Sequence, residues 1–221
     1  MGADSGVCAT VAELIQAIDT ADSKGAMVAA VHQLAAAQDA AAIPTLITVL
    51  GYNNPGAAVA AVNGLAALGS TATPALLEQL DGYNYGARAW AIRALALIGD
   101  PRALPVLLET AKGDFALSVR RAAARGLGNI NWSLLALGQR SMPQESVLQV
   151  LSKTATADPE WVVRYAAVAG LQSLATAWLE PNVHMPQLID CLARVFSTDD
   201  IAAVQARARL ALDALADCQK N

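Results

Sequence analysis

The chain has 221 residues, of which 55% are hydrophobic, 15% charged and 5% aromatic, with much of the apolar count supplied by alanine. Too few aromatics for a β-sandwich core and an excess of the best helix former point to an all-α protein. A net charge of −4 and a pI near 5.1 argue against nucleic acid as a partner, since phosphate binding needs a basic face.

The start of the chain lacks the basic and apolar segments of a secretory signal, and no apolar run is long enough to span a bilayer, so no membrane partner is expected. Cys8, Cys191 and Cys218 are an odd number without metal-ligand spacing. No disulfide framework or metal site is expected, and a reducing cytoplasm is the expected location.

In chain order, the first strong signal is a near-duplication. Gly51 to Val59 recurs about thirty residues later as Gly82 to Trp90, and each copy leads into a small-residue helix that stops at a glycine, Gly69 or Gly99. The second copy carries Tyr85 where the first has Asn54 or Pro55, Arg88 in place of Ala58, and Trp90 in place of Ala60.

The same helical pattern returns along the chain at Met27, Ala58, Arg88, Arg120, Arg164 and, more weakly, Gln205, at spacings of 31, 30, 32, 44 and 41 residues. Each start is followed by a small residue three positions on and a small-residue–Leu or Gln–Leu pair beyond it, which keeps these residues on one helical face. Partner helices are expected over residues 43–50, 73–80, 103–111, 146–154 and 185–197, several with proline near the start, where a missing N–H costs least. At Gly99–Ala103 a C-cap glycine, an N-cap Asp100 and Pro101 at the first helical position form a sharp turn.

A period of 30 to 45 residues with helical content predicts an α-solenoid. It comprises about six two-helix repeats over residues 10–36, 37–69, 70–99, 100–130, 144–176 and 185–217, forming one crescent-shaped domain. The Asp-Pro entry and the Val-Arg-x-x-Ala second helix resemble HEAT-type repeats. Residues 129–144 and 176–185 are insertions, in which Trp132 and Trp178 are expected to cover helix edges.

No catalytic motif of the familiar kinds is present. His32 and His184 are the only histidines, and neither sits in a recognisable constellation. Cys191 is expected to be a small core residue. The strongest constellation is Asp81 to Trp90, with Tyr83, Tyr85, Arg88 and Trp90. Arg120 and Arg164 follow in the same register, with Trp161 one turn before Arg164. An arginine ladder with interleaved aromatics suits an elongated, planar ligand bearing carboxylates. The competing role for each ladder arginine is an ion pair with an aspartate of a neighbouring repeat, such as Asp100, Asp114 or Asp158.

The segments Gly51–Val62, Asp81–Leu104, Asp114–Gly128 and Asp158–Ala175, in that order, resemble the F-type subunit of the cyanobacterial heterodimeric phycocyanobilin lyases. The resemblance implies an enzyme that works with an E-type partner subunit. The pair attaches phycocyanobilin, an open-chain tetrapyrrole, to a cysteine of the phycocyanin α apoprotein through a thioether. The nucleophile then belongs to the substrate protein, the pigment is a substrate, and no cofactor is expected. Catalysis would rest on positioning, with Asp81 and Tyr85 as candidates for proton transfer and Tyr83, Tyr85, Arg88, Trp90, Arg120, Trp161 and Arg164 as ligand contacts. Related subunits that also isomerise the bilin carry His-Cys where this chain has Tyr85-Gly86, so attachment without isomerisation is implied. The alternatives are a bilin-detaching relative and a protein-binding scaffold without lyase activity.

Overall fold

The computed structural model describes residues 9–81, 84–178 and 182–218, with backbone alone at 81 and 218. Among the described residues there are twelve α-helices and no strand. The all-α reading holds. The chain divides into two compact units, residues 1–94 and 95–221.

The first unit holds α1 (Val11–Asp19), α2 (Lys24–Ala36), α3 (Ile43–Val49), α4 (Pro55–Leu68), α5 (Thr73–Glu78) and most of α6 (Tyr85–Ile98), which runs across the division. Local chemistry sets the helix starts. Thr10 and Glu13 form a reciprocal capping box on α1, and the Ser23 hydroxyl accepts from the Ala26 N–H at 3.1 Å on α2. Pro55 occupies the first position of α4 behind the Asn54 cap. α2 lies along α4 while α3 packs on both α4 and α5. The core is built from short side chains: Ala57, Ala58, Ala60, Ala61 and Leu65 of α4 are fully buried against Val31 and Leu34 of α2 and Leu46 of α3.

The second unit holds α7 (Leu104–Gly113), α8 (Leu117–Leu127), α9 (Ser141–Ala157), α10 (Trp161–Thr176), α11 (Met185–Thr198) and α12 (Ala202–Cys218). These form two layers. α8, α10 and α12 lie side by side, and α7, α9 and α11 pack behind them. The spacing of α8 from α10 is as small as the backbone permits. A Cβ placed on Gly170 would lie 2.7 Å from the Ala124 carbonyl, and one on Gly128 would lie 2.5 Å from the Gly170 Cα. The recurring small residue of the sequence pattern is therefore a demand of the helix contact.

The turn at Gly99 has the expected chemistry. Gly99 adopts φ +70°, and a Cβ there would clash with the Asn129 carbonyl. Asp100 accepts from the Arg102 N–H at 2.9 Å and caps a 3₁₀ turn (Pro101–Ala103) that leads into α7.

The largest difference in boundaries is at α9 (Ser141–Ala157). The helix expected over 146–154 starts at Ser141, because Pro143 falls in its first turn, where no N–H has a partner within the helix. The first insertion is correspondingly shorter. It forms two 3₁₀ turns, with the Trp132 side chain buried and Leu137 exposed.

Candidate ligand-binding site

The divergent repeat is built on α6. The Asn84 side chain accepts from the Ala87 N–H at 3.1 Å, as the Asn54 side chain accepts from the Ala57 N–H at 3.2 Å on α4. Asn84 and Asn54 are thus equivalent caps. This aligns Tyr85 with Pro55, Arg88 with Ala58 and Trp90 with Ala60. In α4 the last two are fully buried alanines, whereas Arg88 and Trp90 are half-buried. The second copy has replaced core methyls with groups that reach the surface.

Tyr85 opens α6 and is half-buried, next to an exposed Gly86. Trp90 is covered on one face by the Arg93 guanidinium, 4.4 Å from the ring centroid. Tyr83 lies outside the described residues, and of Asp81 only the backbone lies within them, at the end of a 3₁₀ turn (Gln79–Asp81).

Of the ladder arginines, Arg120 and Arg164 turn their guanidinium groups to the protein's own carboxylates. Arg120 Nε and Nη2 reach the two Asp158 carboxylate oxygens at 2.8 and 3.1 Å. Its Nη1 donates to the Asp114 and Phe115 carbonyls. Arg164 repeats this one unit on. It binds Asp199 through Nε and Nη2 at 2.7 and 2.9 Å, Asp200 through Nη2 at 2.6 Å, and the Asp158 and Pro159 carbonyls through Nη1. All five Arg164 N–H donors have acceptors.

Each aspartate also caps the turn before its own inner helix. Asp114 accepts from the Ala116 N–H, Asp158 from the Glu160 N–H and Asp199 from the Ile201 N–H, each at 2.9 Å. The final copy, Gln205, keeps only the local half of the motif, donating to the Asp199 carbonyl at 2.6 Å.

Arg120 and Arg164 thus act as inter-repeat clamps, the competing role that the sequence left open for the ladder arginines, with the Asp158 and Asp199 side chains buried against their forks. The Asp158 pairing was among the alternatives that the sequence left open; Asp199 and Asp200 were not. Arg164 is only 9% exposed. Its hydrogen bonds to Asp199 favour the cation, and so its pKa is raised despite burial. Burial works against the charge of Asp199. Its bonds from Arg164 and the Ile201 N–H outweigh that, and its pKa is lowered.

Other sequence candidates are placed plainly. Trp161 is the first residue of α10 and is 43% exposed, with Tyr165 41% exposed one turn along. His32 is exposed and His184 is half-buried. Cys191 is buried, with only a long contact of 3.9 Å to the Ser152 carbonyl, and burial pushes its thiol pKa up, which disfavours the nucleophilic thiolate. Among the described residues no cluster of His, Cys, Asp and Glu could hold a metal. No described helix is long and apolar enough to cross a membrane.

Tyr165 was not singled out as a ligand contact at the sequence level. Its i, i+4 spacing from Trp161 on a helix whose buried residues are mostly small was the available signal.

Comparison with known proteins places this geometry in context. A family model for HEAT repeats matches residues 73–172. The chain is 53% identical over 199 residues to the phycobilisome maturation protein of Synechococcus elongatus, covering 90% of this chain and 95% of that protein. It is 55% identical over 175 residues to the phycocyanin alpha phycocyanobilin lyase CpcF of Synechocystis sp., covering 79% of this chain and 81% of that one. A chain in the solved complex of CpcE and CpcF of phycocyanin lyase from Nostoc sp. PCC7120 matches with a TM-score of 0.71 and 49% identity. The match covers 78% of this chain and 99% of that one.

Proposed function

The chain belongs to the family of F-type phycocyanobilin lyase subunits, and from that premise we infer that it is one subunit of a lyase that attaches phycocyanobilin to the phycocyanin α subunit. It works as a heterodimer with an E-type subunit. The observation that carries this reading is about 50% identity, over most of both chains, to proteins that bear this activity and to a chain solved in complex with its partner.

The reaction adds the substrate cysteine thiol across the ring-A ethylidene double bond of the bilin. Sulfur bonds to the exocyclic carbon, and the proton ends on the tetrapyrrole. The nucleophile comes from the substrate protein and needs a reduced thiol, which a reducing cytoplasm supplies. The buried Cys191 has no part in the step. What remains for the lyase is to hold the pigment extended, exclude wrong nucleophiles and present one face of ring A. Tyr85 and Asp81 are the candidates for proton delivery in this reading, with Tyr83, Arg88, Trp90 and Trp161 as contacts to the pigment. Tyr85-Gly86 stands in place of the His-Cys pair of isomerising relatives, and so attachment leaves the double bonds of the pigment in the phycocyanobilin arrangement.

The test is to incubate the purified heterodimer both with free phycocyanobilin plus apo-phycocyanin α and with the finished holo-subunit. The lyase reading expects net covalent attachment, and net release of pigment from the holo-subunit would instead make this a detaching enzyme.

A further inference from the structure

With Arg120 and Arg164 closed by aspartates, the second unit has a different set of open cations. α8, α10 and α12 are covered by one another at their sides and by α7, α9 and α11 behind, which leaves one stripe of each uncovered. On α8 that stripe is Leu117, Arg121 and Arg125, at steps of four residues, all exposed. On α10 it begins with the half-exposed aromatics Trp161 and Tyr165. No ion pair joins Arg121 or Arg125 to a carboxylate among the described residues, in contrast to the neighbouring Arg120.

α12 brings a third arginine to the same place. Arg207 Nη2 donates to the Gln172 side chain of α10 at 2.6 Å, whereas its Nη1 is buried with no acceptor among the described residues. Burial lowers the Arg207 pKa, the nearby Tyr165 hydroxyl raises it and the nearby Arg125 lowers it again. Arg207 of α12 thus reaches across to α10, the helix that carries Tyr165 and that packs on its other side against α8, the helix of Arg125. A guanidinium with an unsatisfied N–H and no carboxylate carries an uncompensated desolvation cost. Its long side chain can swing toward the open stripe, where an incoming anion would complete the fork.

We propose that this open face, centred on Arg207, Arg125 and Tyr165, receives a propionate carboxylate of the bilin, with Trp161 and Tyr165 lying against the conjugated pyrrole rings. The proposal rests on the bilin lyase reading above. It assigns the pigment's carboxylate to Arg207 and Arg125 and leaves the aspartate-bound Arg120 and Arg164 as framework. A guanidinium with an unmatched N–H suits a carboxylate, and aromatic faces suit the flat rings that carry it.

The experiment uses the intact heterodimer and two pigments, phycocyanobilin and its dimethyl ester, in which both propionates are neutral. Binding is followed by visible absorption. The wild-type pair is expected to bind the free acid about tenfold or more tightly than the ester, the scale of a charge-assisted contact. Arg207→Gln and Arg125→Gln are expected to bind the two pigments alike while keeping the heterodimer and its thermal melt. Should Arg207→Gln lower the melt, Arg125→Gln and the charge-conserving Arg207→Lys decide.

An unchanged preference for the acid in the variants overturns the proposal. So does a variant that keeps that preference but no longer retains apo-phycocyanin α, which would make the face a protein dock. A wild-type pair that binds neither pigment removes the lyase reading itself. A pair that binds both equally removes only this assignment.

Discussion

At the residue scale, an aspartate and an arginine join one repeat to the next. Asp158 caps the turn before α10 and closes the fork of Arg120; Asp199 does the same before α12 for Arg164. Deleting one partner leaves the other charge buried, which costs more than the pair itself contributes. Arg164→Ala is expected to destabilise the protein by about 3 kcal/mol, measured by urea unfolding. Arg209→Ala, which breaks an exposed pair with Asp213, is expected to cost less than about 1 kcal/mol.

The aspartate also sets a pH dependence. The Asp199 pKa is lowered on folding, so its contribution is complete above the ordinary value near 3.8 and is lost as pH falls through the folded value. The stability gap between the wild type and Asp199→Asn should therefore be constant from about pH 5 to 7 and shrink below about pH 4. A gap that stays the same at pH 3 would count against the ion pair as its source.

At the element scale, close helix contact decides which positions are glycine. Gly170→Ala would gain about 1 kcal/mol of helix propensity. Its new methyl would, however, meet the Ala124 carbonyl at 2.7 Å, where backbone has to move. Overpacking costs of about 1–3 kcal/mol should win, and the variant should melt below wild type. Gly113→Ala, with nothing within 4 Å of the added methyl, should not.

This is also where the sequence was most legible. A small residue at fixed register announced the inner helices, and Gly99-Asp100-Pro101 announced a turn, because both are local rules with few alternatives. The partners of the ladder arginines were less legible. Asp199 lies 35 residues from Arg164, and only the stacking of one repeat on the next brings them together. The start of α9 was missed because proline reads as a stop unless the first turn of the helix is already known. Arg207 was passed over because its weak repeat copy gave no hint that Gln172 would lie beside it.

At the scale of the whole molecule, the fold supplies a scaffold of short side chains and the proposed contacts to the pigment lie where repeats depart from their siblings. Two such departures stand out. One is α6, where Arg88 and Trp90 replace two buried alanines; the other is the open stripe of α8, α10 and α12. Neither offers a nucleophile, which fits a lyase whose substrate protein provides the sulfur. The central claim is that this chain and an E-type partner join phycocyanobilin to a cysteine of phycocyanin α and leave the pigment unisomerised. The most direct test is to combine the heterodimer, phycocyanobilin and apo-phycocyanin α, then resolve the products on a denaturing gel by zinc-induced fluorescence and record the absorption of the adduct. The account predicts a fluorescent α-subunit band that requires both lyase subunits and the substrate cysteine and has the spectrum of a phycocyanobilin adduct. An unlabelled α subunit, or an adduct with the spectrum of an isomerised bilin, would contradict it.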